Sequence, residues 1–191
     1  METKNYSKIY RIIHWSIAIT FMLLLLTIFL RLTWMNKNSV ADIMQEYLTE
    51  NDVNLERDQL VVLAKKIRQP MWIWHIYFGY VLTGLFLLRF MLPIFGEMKF
   101  QNPVKKGLSL KERFQKWTYL LFYVFVAGSL FTGLMIKFGP ESLEHTMEEI
   151  HELSIYYLTA FLILHWGGVL LAELTDQKGI VSRIISGGKG E

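Results

Sequence analysis

The 191-residue chain contains no cysteine. That excludes cysteine-ligated iron–sulfur clusters, disulfides and covalently attached c-type haem, which needs a C-x-x-C-H motif. Charge is nearly missing from four stretches, residues 12–32, 71–92, 117–136 and 150–172. No aspartate or glutamate sits deep inside any of them, so a membrane proton relay built on carboxylates is disfavoured. There is no internal repeat and no low-complexity segment. What is present is apolar: 52% of residues are hydrophobic, and the unbroken runs decide the class. Each is long enough to cross a bilayer, which takes about 20 apolar residues. The expectation is an all-α integral membrane four-helix bundle forming a single domain. The first run is too long for a signal-peptide core and has no small-residue cleavage site.

Charge outside the runs sets an orientation. Lys4, Lys8 and Arg11 precede the first run. Lys99, Lys105, Lys106, Lys111, Arg113 and Lys116 lie between the second and third, with only Glu97 and Glu112 against them. Lys178, Arg183 and Lys189 follow the fourth. With four spans these regions share one side, and the positive-inside rule places both termini in the cytoplasm. The other side holds a charge-balanced connection, residues 33–70, and a short acidic one with Glu141, Glu144, Glu148 and Glu149. The longer connection exceeds a simple turn. Ser39 to Asp42 suits a capping box, with Ile43, Met44, Tyr47 and Leu48 on one face of the helix it opens. Asn51 and Asp52 interrupt that helix, and a second amphipathic stretch covers residues 55–67. Pro70 suits the first turn of the next membrane helix. A small helical cap in the first outer loop is expected, either sealing the bundle or docking a partner.

Histidine carries the chemistry. His151 and His165 stand fourteen residues apart. On a straight α-helix that is a rise of about 21 Å and nearly four full turns. The two then share a face near opposite edges of the hydrocarbon core, too far apart for one metal. His14 lies near the inner end of the first span and His75 near the outer end of the second. Depth therefore pairs His14 with His165 and His75 with His151, while His145 in the acidic connection has no counterpart. Zinc needs three or four converging ligands. Haem iron accepts two facing imidazoles, and its macrocycle is apolar enough to lie between helices. Two bis-histidine haems would stand on the order of 20 Å apart. Gly79, Gly84, Gly128, Gly133, Gly167 and Gly168 suit close approach of a helix or a flat ring, as in ordinary helix packing. Trp15, Trp72, Trp74 and Trp166 suit an interfacial belt. Arg11, Arg68 and Arg89, near helix ends, suit haem propionates or lipid headgroups.

His14 with Trp15, the Trp74-His75-Ile76 start of the second span, and the His151 to His165 spacing resemble the bacterial cytochrome b561 family. That family joins small di-haem proteins with the b-type cytochrome subunits of nickel–iron hydrogenases. The tail GIVSRIISGG, residues 179–188, resembles the hydrogenase-type branch. The resemblance implies two non-covalent b-type haems held by His14, His75, His151 and His165. It also implies a multi-pass protein of the bacterial cytoplasmic membrane that exchanges electrons with quinone. The 33–70 connection is longer than compact members need. The expected partners are lipid, quinone and a periplasmic redox protein or hydrogenase-like subunit, with no nucleic acid. Two other functions stay open. One is a self-contained superoxide:quinone oxidoreductase, with Lys65, Lys66, Arg68 and Lys137 steering the anion against the four acidic residues. The other is a haem-free protein whose histidines bind a transition metal or relay protons.

Overall fold

The computed structural model describes residues 6–175 and 177–187. Lys4, Lys189 and Gly188, used above for topology and for the tail, lie outside them. Among the described residues there is no strand. Four helical stretches are long and apolar enough to cross a membrane. Helix α1 is Lys8–Leu32, α2 Lys37–Glu50, α3 Arg57–Ile67 and α4 Gln69–Met91, closed by a 3₁₀ turn, Leu92–Phe95. Then follow α5 Leu110–Phe138, α6 Glu141–Glu152, α7 Ser154–Leu174 and α8 Ile180–Ser186. The long helices expose Ile19, Leu26, Leu87, Phe131, Ile163 and Leu170, the lipid-facing pattern of a multi-pass membrane protein.

The chain divides into two compact units. One is Ser16–Phe86, and the other joins the chain up to Trp15 with the chain from Leu87 onward. Within the first, α2 and α3 form the cap. Ala41, Leu60 and Ala64 are buried together, with Val40, Met44, Leu48 and Val61 packed around them. Alanine at the contact lets the two short helices approach closely. The expected face is only half right: Met44 and Leu48 pack, but Ile43 and Tyr47 are exposed. The capping also differs. Helix α2 opens two residues before Ser39, with the Asn36 side chain accepting from Asn38 N at 2.9 Å. Helix α3 opens on a capping box of Glu56 and Gln59. The break at Asn51 and Asp52 is where expected, with Asp52 at φ +56°.

In the second unit the third span starts early. Ser109 and Glu112 form a capping box, so Lys111, Arg113 and Lys116 ride on α5 rather than on a loop. The acidic connection is also helical. Chain reversal takes only Gly139 and Pro140, and Glu141 and Glu144 occupy the first turn of α6, where the helix dipole favours anions. Helices α6 and α7 are continuous except at Leu153 (φ −62°, ψ −16°). There Leu153 N bonds Ile150 O and Tyr156 N bonds Leu153 O, a local tightening to three-residue hydrogen bonds. The face calculated for a straight helix from His151 to His165 is therefore interrupted. Helix α8 ends against α1. Arg11 Nη1 donates to Ile185 O at 3.0 Å and Trp15 Nε1 to Ile184 O at 3.1 Å. Gly187, at φ +94°, lies against the Arg11 guanidinium, where a Cβ would come within 2.9 Å of Cζ. Glu173 fixes the other end of α8 by accepting from Gly179 N and Val181 N.

Candidate functional site

His14, in the second turn of α1, and His165, midway along α7, come together. Their ring centroids are 6.2 Å apart and the planes tilt by 49°. Tyr10 stacks beside His14 and Trp15 presents an edge to it. Phe161 stacks on His165 at 5.5 Å, and Tyr119 Oη lies 3.3 Å from His165 Nδ1.

His151 is at the end of α6, against α5. Its Nδ1 is 3.0 Å from Ser129 O and 3.1 Å from Thr132 Oγ1. A carbonyl only accepts, so Nδ1 carries the proton, and the lone pair is on Nε2. Thr132 is buried and donates to Gly128 O and Ser129 O, leaving its oxygen lone pairs toward the imidazole. Gly133 lets the ring approach: a Cβ there would be 3.1 Å from His151 Cε1. A hydroxyl cluster of Ser129, Ser154 and Tyr157 ties α5 to α7 close by, and Tyr157 also donates to Phe125 O.

His75 repeats the logic within residues 16–86. Thr27, buried in α1, donates to Leu24 O at 2.6 Å, so its oxygen accepts from His75 Nδ1 at 2.7 Å. The lone pair is again on Nε2. Trp72 stacks on the ring at 4.8 Å and 3°, and the Arg31 guanidinium covers Trp72 at 5.1 Å. His145 is apart from all this, exposed and 3.7 Å from Glu149.

A model of the prokaryotic cytochrome b561 family matches residues 5–187. The chain belongs to that family. Comparison with curated proteins and with solved structures gave no match. As a cytochrome b561 it is a membrane electron-transfer protein that works with b-type haem. The residues fit that group. Two metal–imidazole bonds of about 2 Å, with each ring centroid about 1 Å behind its nitrogen, require centroids roughly 6 Å apart. His14 and His165 have that spacing. His75 and His151 each anchor Nδ1, which puts the lone pair on Nε2, the usual arrangement behind a metal-binding imidazole. Among the described residues no three histidine or carboxylate groups converge as a zinc site requires.

The cytochrome's supporting groups were not legible in the sequence. Thr27, Tyr119, Ser129 and Thr132 are far in sequence from the histidines they touch. The one cue is a hydroxyl inside an apolar run, and Thr20 shows its weakness by simply bonding back to Ser16 O. Arg11, expected at a propionate or headgroup, is committed to the α8 carbonyl.

Proposed function

We propose that this cytochrome b561 carries two b-type haems, one between His14 and His165 and one between His75 and His151. Electrons would pass between a redox partner at the outer face and the membrane quinone pool. The 6.2 Å approach of His14 and His165 carries the reading, because two half-buried imidazoles brought together from α1 and α7 with no hydrogen bond between them are otherwise unexplained. The second pair rests on depth in the sequence and on the matching Nδ1 anchors at Thr27 and Ser129. When bound, each haem supplies a one-electron couple. The chain's own work is to orient four imidazoles, hold the Nδ1 protons of His75 and His151 in place and cover the rings with Trp72, Phe161 and Tyr10. The basic flanks support cytoplasmic termini in a bacterial cytoplasmic membrane. On that orientation the α2–α3 cap and the acidic start of α6 face outward, as a docking surface for a periplasmic redox protein or hydrogenase-like subunit.

One observation favours the superoxide:quinone oxidoreductase as a second reading. Partial burial, then repulsion from Arg31, push the Arg68 guanidinium down from its ordinary pKa, so two cations lie close together. Arg31 lies 5.1 Å from the Trp72 ring that stacks on His75, and such a pair of cations suits a small anion there.

Rapid mixing of the oxidised protein with a short-chain quinol tests the main reading. Haem reduction within the turnover time of a respiratory enzyme is expected. No reduction by any quinol would remove quinone from the account. Fast superoxide consumption without a protein partner would favour the second reading.

A further inference from the structure

Arg89 is placed where a cation is costly. It is 5% exposed, in the last turn of α4. Its Nε donates to Tyr123 Oη at 3.1 Å. The guanidinium lies over the Phe100 ring at 4.5 Å and the Tyr123 ring at 5.0 Å. Nη1 is buried and has no hydrogen-bond partner. Among the described residues no carboxylate pairs with it. Burial of an unpaired charge, and of an unbonded N–H, is strongly unfavourable. Phenol and phenyl rings soften the cost through their π-faces but supply no counter-charge. A neutral carbonyl would satisfy Nη1 and leave the charge uncompensated. The missing group is therefore an anion.

Its surroundings narrow which anion. Tyr10 lies within electrostatic reach of Arg89 and stacks beside His14. Arg89 is in the last turn of α4 and His14 in the second turn of α1, so alternation of the spans puts the cation at the same membrane face as the His14–His165 pair. We propose that Arg89 is the receptor for a propionate carboxylate of the haem at His14 and His165, with Nη1 donating to it and Tyr123 holding the guanidinium. This rests on the haem reading above. A second source of the same chemistry is a phospholipid phosphate, which the low exposure of Arg89 disfavours.

The test is retention of haem. Arg89→Gln and the unchanged protein are loaded with haem or with its dimethyl ester, and transfer to excess apomyoglobin is timed. The haem in question is the one that His14→Ala removes. With ordinary haem, Arg89→Gln should lose it at least tenfold faster. With the ester, the two proteins should differ less than twofold, because the carboxylate is already neutralised. The midpoint potential of that haem should also fall in Arg89→Gln, since a compensating cation is gone. Equal loss from both proteins with ordinary haem would overturn the proposal. So would a difference that persists with the ester and varies with the anionic lipid content of nanodiscs, which would assign Arg89 to lipid phosphate. If Arg89→Gln does not accumulate, the ester alone decides: the unchanged protein should lose it at least tenfold faster than haem, and equal retention would overturn the proposal. A protein that takes up no haem would instead defeat the underlying reading, an outcome visible before any variant is made.

Discussion

The His14 and His165 imidazoles face one another at 6.2 Å, although 151 residues separate them along the chain. Two ligands of one iron act as a unit. His14→Ala and His165→Ala should therefore each abolish the same absorption component, and the double variant should lose nothing more. Difference spectra of the three variants measure this. Loss of two different components by the single variants would separate the residues into different sites.

Thr27 orients His75 through a 2.7 Å bond within residues 16–86. Thr27→Val keeps the shape and removes the acceptor. Removing such a supporting hydrogen bond typically costs 10–100-fold in metal affinity. The variant should release one haem about 10–100-fold faster and retain the other normally. Equal release of both, or of neither, would show that the bond has no such role.

Gly133 faces the His151 ring, where an added methyl would lie 3.1 Å from Cε1. Gly133→Ala should displace the imidazole and loosen its Nδ1 bond to Ser129. A lower content of the haem that His75→Ala removes is expected, while Gly128→Ala, whose Cβ meets nothing within 4 Å, should leave it unchanged. The paired variants are compared by haem per chain. The same loss from both would mean general helix damage.

These contacts mark the limit of what the sequence carries. The four spans are legible because length and lack of charge are local properties. The fourteen-residue histidine spacing is legible for the same reason. The partners that hold the rings depend on how helices pack, and no local pattern encodes them. Helix α6 is a different case. Its glutamates read as a loop, yet Pro140 followed by acidic residues is a helix start, and that signal was available. In the cap, weight given to large apolar residues pointed to Ile43 and Tyr47. Ala41 and Ala64, both fully buried, form the contact because small residues permit it.

Leu60 is 1% exposed at the centre of the cap. Leu60→Ala should destabilise the α2–α3 pair by about 2–5 kcal/mol. Limited proteolysis should then cut residues 50–57 faster, while both haem signals persist. If cleavage is unchanged, the cap is held by something other than this core.

The central claim is two bis-histidine haems in one chain. The direct measurement is a pyridine haemochrome assay on the purified protein, normalised to polypeptide and read beside a reduced-minus-oxidised spectrum. The account predicts two b-type haems per chain, falling to one in His14→Ala and to one in His75→Ala. One haem in the unaltered protein, with one of those two variants leaving it in place, would contradict the account.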